Sequence, residues 1–158
     1  MGIRSLATIF VLLTSLISIS NPFTNLVYAG QFDDAFAAYE RGEYATAFRL
    51  MKPLAEKGDA KAQHNLGIMY DYARGTPQDY VKALKWYRRA AGQGISEAQH
   101  NLGLMYYHGQ GVPKNYVMAH MWYKLAASRF PASEGEKREM ALKNRETVAS
   151  LMTSAQIA

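Results

Sequence analysis

The chain has 158 residues, 49% of them hydrophobic and 20% charged, with 18 basic against 13 acidic side chains and a net charge of +5. It contains no cysteine, which excludes disulfide staples, thiolate catalysis and cysteine-based zinc sites. The basic excess is small. Its densest part, Lys82, Lys85, Arg88 and Arg89, reads at helical spacing as a solvated outer face, and no nucleic-acid partner is inferred.

Residues 1–29 read as a cleavable signal peptide. Arg4 lies in a short basic region, an apolar stretch runs from Leu6 to Ile19, and the segment closes on the small-residue end Val27-Tyr28-Ala29. The apolar stretch is shorter than the roughly 20 residues a membrane span requires, so cleavage before Gly30 is expected. Export to the periplasm or medium follows, with no membrane association afterwards and a net charge lowered by one through loss of Arg4.

Residues 30–58 read as a degenerate first unit. Tyr39-Glu-Arg-Gly-Glu-Tyr44 makes a tight turn, and Ala47, Leu50, Leu54 and Ala55 supply the apolar side of the helix that follows. Asp33 and Asp34 are placed at a helix start, where negative charge suits the macrodipole.

Two full units follow, at 59–94 and 95–130. Ala62-Gln-His-Asn-Leu-Gly-Ile-Met-Tyr70 returns as Ala98-Gln-His-Asn-Leu-Gly-Leu-Met-Tyr106, shifted by 36 positions. At the same shift, Val81-Lys-Ala-Leu-Lys-Trp-Tyr-Arg-Arg-Ala-Ala91 matches Val117-Met-Ala-His-Met-Trp-Tyr-Lys-Leu-Ala-Ala127. A repeat of this length marks a supersecondary unit that buries its apolar face only by stacking on its neighbours. Ala62, Leu66, Met69 and Tyr70 form the stripe of one amphipathic helix, and Ala83, Tyr87 and Ala90 that of the next. Gly and Pro in Arg74-Gly-Thr-Pro77, Gly92-Gln-Gly94 and Gly109-Gln-Gly-Val-Pro113 punctuate them. Ser96 with Gln99 reads as a capping box, and Asp79 and Asn115 as N-caps. Gly67 and Gly103 are expected where two helices approach closely enough for the large Trp86, Tyr87, Trp122 and Tyr123 to fill the grooves.

Residues 131–158 read as a capping helix and tail, with Ser133 and Glu136 as its capping box and an end near Leu151. Thr153 with Gln156 opens another such pattern close to the end of the sequence.

The combination Ala-x-x-Asn-Leu-Gly-x-x-Tyr, a Gly-x-Gly-Val-Pro turn and Ala-x-x-Trp-Tyr-x-x-Ala-Ala resembles the Sel-1-like repeat family, relatives of the tetratricopeptide repeats, over about residues 33–130. The resemblance implies an all-α fold: a short right-handed α-solenoid of helix-turn-helix repeats with a concave side lined by first helices. It also implies an adaptor or regulator that grips other proteins. Two departures stand in the first full unit, where Ala73 occupies the place of Gly109 and Thr76 that of Val112. Lacking cysteine, the chain falls outside the disulfide-bridged exported members.

Chemistry-bearing residues are sparse. His64 and His100 recur because the repeat recurs, and neither has a histidine or carboxylate three or four residues on to share a metal; His108 and His120 complete the histidines. No Gly-x-Ser-x-Gly, phosphate loop or unassigned carboxylate pair suggests catalysis. No enzyme activity, metal or cofactor is assigned. The 11 tyrosines are mostly core, Tyr72 and Tyr107 falling off the stripes. The candidate partner-binding surface is the first-helix face opposite the core: His64, Ile68, Asp71 and Tyr72 in one unit, Glu97, His100, Leu104, Tyr107 and His108 in the next, with Lys61, Asn65 and Asn101 beside them. Ile68 and Leu104 would be either exposed apolar centres within a polar rim or half-buried against the neighbouring unit, and the asparagines would bond backbone between units. The expected function is an exported adaptor holding a peptide or protein; the alternative is a protein that binds or hydrolyses cell-wall peptidoglycan.

Overall fold

Helix starts recur with the same spacing as the sequence. The computed structural model describes residues 22–153 and 156, with side chains from Gly30 onward. Among these residues it forms seven α-helices: α1 (Pro22–Glu40), α2 (Tyr44–Glu56), α3 (Ala60–Asp71), α4 (Tyr80–Gly92), α5 (Ser96–His108), α6 (Tyr116–Arg129) and α7 (Gly135–Ala149). No strand occurs among the described residues. Each helix packs on the next, so α1–α2, α3–α4 and α5–α6 stack as pairs and α7 closes on α6. The leader reading over 1–21 lies outside the described residues. No helix among the described residues is long and apolar enough to cross a membrane.

Second helices α2, α4 and α6 begin at Tyr44, Tyr80 and Tyr116, each 36 residues after the last. Asp79 accepts from Lys82 N at 2.9 Å and Asn115 from Met118 N at 3.0 Å, so both act as N-caps, as their residue type predicts. Glu43 holds the same place before α2 but makes no capping bond; it pairs with Arg41 at 2.7 Å instead.

The core follows the predicted stripes. Ala62, Leu66 and Met69 are fully buried with Tyr70 beside them, as are Ala83, Tyr87 and Ala90. One apolar cluster runs unbroken from Ala35 in α1 to Met105 in α5, the shared core that stacking of short units requires. In α2 the buried residue is Met51, the counterpart of Tyr87 one unit earlier, whereas Leu50 is only partly covered. The short α1–α2 turn centres on Gly42, in the left-handed region at φ 78°.

Gly67 and Gly103 have a steric cause. A Cβ added at Gly67 would lie 2.6 Å from the Tyr87 ring, and one at Gly103 would lie 2.5 Å from the Tyr123 ring. Both tyrosines are buried to within 1%, so neither ring can withdraw. A glycine inside a helix costs about 1 kcal/mol against alanine, and close approach of the large ring offsets it. The turn glycines Gly75 and Gly111 combine positive φ with backbone of the preceding second helix: an added Cβ would meet Tyr44 O at 2.1 Å and Tyr80 O at 2.4 Å. Gly109 adopts φ 77°, and Ala73, in its place one unit earlier, is driven to φ 55°.

Several local expectations are corrected. Ser96 does not cap α5, because it is the helix's first residue and buried, with Ile95 at the N-cap. Its partner Gln99 is committed elsewhere: the buried amide donates to Ala91 O at 3.1 Å, as Gln63 does to Ala55 O at 3.1 Å one unit earlier. Ser133 lies in a 3-10 turn, Ala132–Glu134, and α7 starts after it without a side-chain cap. Asp33 and Asp34 lie inside α1 rather than at its start. Thr153 and Gln156 make half of a capping box, Gln156 Oε1 accepting from Thr153 N at 3.0 Å.

Candidate functional site

First helices α3 and α5 lie side by side, and α7 takes the next place along the same face. A repeated hydrogen bond sets this order. The amide of Asn101 on α5 meets His64 Nε2 on α3 at 3.3 Å, and the amide of Asn144 on α7 meets His100 Nε2 on α5 at 2.9 Å. Ala141 and Asn144 of α7 repeat Ala98 and Asn101 of α5, shifted by 43 positions rather than 36. Helix α7 thus takes the place of a further first helix. Where α5 carries Gly103 to receive a tyrosine ring, α7 carries the exposed Glu146.

Three adjoining clefts open along this face. The first, about 280 Å³, is lined by His64, Ile68, Glu97 and His100, with Phe130, Lys137 and Met140 from the α6–α7 side. The second, about 290 Å³, is bounded by Asp71, Tyr72, Leu104 and His108, with Gln78, Tyr80 and Gln110 from the turns. The third, about 210 Å³, takes in Leu104, Tyr107 and His108, with Tyr123 and the α7 residues Asn144, Thr147 and Val148. Every residue of the candidate surface therefore lines one of them. Leu104 and His108 border both the second and third, and Asn101 both the first and second.

Exposure settles between the two readings of these residues. Ile68 and Leu104 are half-buried, each packed against an apolar cluster, rather than standing free. Tyr72 is the exposed aromatic at 61%, while Tyr107 is half-covered, with His108 at 4.8 Å and Tyr116 at 5.9 Å. Asn65 bonds within its own helix, to Lys61 O at 2.9 Å, and not between units.

Electrostatics keep the face largely neutral. Burial pushes His64 down to about 4, Glu97 raising it and Lys137 opposing that, so the imidazole is uncharged at neutral pH. Burial lowers His100 too. Burial is the largest single influence on Glu97 and disfavours its charge, yet the hydrogen bond from Lys137 at 2.9 Å, a backbone N–H and the Lys137 charge together hold the carboxyl below its ordinary range. Lys137 also pairs with Glu134 at 2.9 Å. Asp71 is raised by burial, a shift opposed by the hydrogen bond it accepts from Tyr87 at 3.1 Å. The surface is one of imidazoles, amides and short apolar patches, suited to polypeptide contact. No group of three metal-ligating side chains gathers among the described residues.

The α7 contribution was missed because the helix lies out of phase by seven residues. A search of the sequence allowing that gap would find Ala-x-x-Asn.

A model of the Sel1 repeat matches residues 60–95 and 96–129. Over 42 residues the chain is 44% identical to the "DAP3-binding cell death enhancer 1" of Rattus norvegicus and to that of Mus musculus, a stretch covering 27% of this chain and 8% of each relative. Among solved structures it is similar to an SLR-fold protective antigen present in uropathogenic Escherichia coli strains, with TM-score 0.74 and 29% identity, covering 82% of this chain and 27% of that one. It is also similar to a Sel1 repeat protein from Oxalobacter formigenes, with TM-score 0.62 and 34% identity, covering 70% and 45%. The chain thus spans less than half the length of each of these relatives. Sel1 repeats are in general non-catalytic scaffolds that mediate protein–protein interaction. The chain carries two Sel1 repeats, and its described residues form a Sel-1-like helical array.

Proposed function

We propose that the protein is an exported adaptor or regulator that holds a peptide segment or protein domain along the face made by α3, α5 and α7. One observation carries this reading: the three clefts adjoin on that face and between them take in the whole candidate surface. Ile68 and Leu104 give it apolar centres, and the His64–Asn101 and His100–Asn144 pairs fix the spacing of its polar groups. The surface is short, so it suits a segment of modest length. Export rests on the leader reading of residues 1–29.

The test replaces Ile68 and Leu104 together by Asp and measures partner recovery from envelope extract, with helicity checked by circular dichroism. Partner recovery is expected to fall at least tenfold while the protein stays helical. Undiminished recovery by a folded variant would place binding elsewhere. Incubation with purified peptidoglycan provides the second arm: sedimentation with the wall, or release of soluble fragments, would favour the wall-directed alternative over the adaptor.

A further inference from the structure

Asp71 and Tyr107 occupy the same place in the two full units, 36 residues apart. In the first unit Asp71 Oδ2 accepts the hydroxyl of Tyr87 at 3.1 Å. The second unit has the matching tyrosine, Tyr123, equally buried and seated on Gly103 as Tyr87 is on Gly67. Its acceptor is missing. The Tyr107 ring lies instead beside Tyr116 and His108, and the Tyr123 hydroxyl has no hydrogen-bond partner among the described residues. A cleft stands at that place, lined by Leu104, Tyr107, His108, Tyr123, Asn144 and Thr147 among others.

We propose that this cleft receives a carboxylate side chain of a partner polypeptide, with the Tyr123 hydroxyl donating to it as Tyr87 donates to Asp71. The inference rests on the reading of the first-helix face as a protein-binding surface and names what one part of it recognises. The internal duplication supplies the argument: the same fold, one unit earlier, shows a carboxylate at this position. The Tyr123 hydroxyl opens onto the cleft, where a carboxylate would take the place of solvent as its acceptor. No acidic side chain lines the cleft, and the chain is basic overall at +5. Glu146, further along α7, is turned outward with a 72% exposed side chain beside Arg145. At about 210 Å³ the cleft is smaller than the roughly 300 Å³ at which small-molecule sites begin, but it admits one short side chain. Leu104 and His108 continue it into the neighbouring cleft, where the flanking peptide would lie.

The test titrates the full chain with three probes: an acetylated, amidated alanine pentapeptide carrying a central aspartate, the same peptide with asparagine, and sodium acetate. Binding is read from the side-chain amide resonance of Asn144. The aspartate peptide should bind at least tenfold more tightly than the other two. Tyr107→Asp, which places a carboxylate where Asp71 stands in the first unit, should stay folded and abolish the response; Tyr123→Phe should weaken it about tenfold. Equal binding of both peptides, acetate binding as tightly as the peptide, or a Tyr107→Asp variant that binds like wild type would each overturn the inference. If Tyr107→Asp leaves partner recovery intact while Ile68→Asp removes it, the binding surface stands and its carboxylate recognition falls. If neither variant affects recovery, the surface itself is wrong.

Discussion

Units α3–α4 and α5–α6 repeat one framework, holding 17 of 36 aligned positions, and the differences divide largely by place, buried Leu84 against His120 being an exception. Positions facing another helix are held: Gly67 and Gly103, Tyr87 and Tyr123, Gln63 and Gln99, Ala83 and Ala119. Positions at helix ends, on the outer face of the second helices and at several places on the first-helix face vary, although His64/His100 and Asn65/Asn101 are kept: Asp59 against Ile95, Asp71 against Tyr107, Ala73 against Gly109, Lys85 against Met121, Gln93 against Arg129. Stacking constrains the first set through sterics that every unit shares, whereas the second set is free to give each unit its own chemistry. Paired substitutions at matching positions can therefore separate framework from decoration.

The largest effect is expected where the units agree. Gly103→Leu would drive a side chain into the buried Tyr123 ring and cost about 3 kcal/mol of stability. Gly67→Leu should cost a similar amount, and denaturant titration of both variants checks it. A marked difference between them would break the equivalence of the units.

The histidines sharpen the comparison by pH. A histidine whose folded value lies below its unfolded one contributes stability that is complete above the unfolded value and lost as protons bind the unfolded chain. For His64 the loss runs from 6.5 down toward about 4 and is on the order of 3 kcal/mol. His64→Asn should flatten the stability profile over that window more than His100→Asn does; equal flattening would contradict the deeper burial of His64.

Tyr87 and Tyr123 separate the units directly. Tyr87→Phe removes the hydrogen bond to half-buried Asp71 and should cost about 1.5 kcal/mol. Tyr123→Phe loses no such bond and should cost no more than about 0.5 kcal/mol. Equal losses in urea melts would deny that the second hydroxyl lacks a partner.

The smallest effect is a gain. Ala73 sits at φ 55°, a region that costs a side-chain-bearing residue roughly 1–2 kcal/mol. Ala73→Gly relieves that strain but frees the unfolded chain, leaving a net stabilisation of about 0.5 kcal/mol, readable as a small rise in Tm. Gly109→Ala should do the reverse.

These contrasts also show what a sequence discloses. The apolar stripes, the caps Asp79 and Asn115 and the small-against-large packing of Gly67 and Gly103 were legible because each rests on a local period or on a residue type with one dominant use. So was the position of the first-helix face, which is what remains of each first helix once the stripe is removed; its role in binding is the proposal. The Ser96 capping box misled, because Gln99 can reach back to the helix start or outward to a neighbouring helix, and only packing decides between them. The α3 cap was overlooked: Asp59 accepts from Ala62 N at 2.7 Å, but its counterpart is Ile95, so the repeat did not advertise it. The role of α7 stayed hidden behind the seven-residue shift in phase. Vacancy beside Tyr123 is a property of two units compared in space, invisible until Asp71 was seen to hold Tyr87.

The central claim is that the first-helix face, and not the outer face of the second helices, meets the partner. Tyr72 on the first face and Val81 on the second helix α4 are comparably exposed, at 61% and 65%, so a photo-crosslinking residue fits at either without disturbing the core. Crosslinking in the native envelope should give a discrete adduct from position 72 that is lost in the Ile68→Asp, Leu104→Asp background, and none from position 81. A discrete adduct from position 81 with none from position 72 would contradict the account.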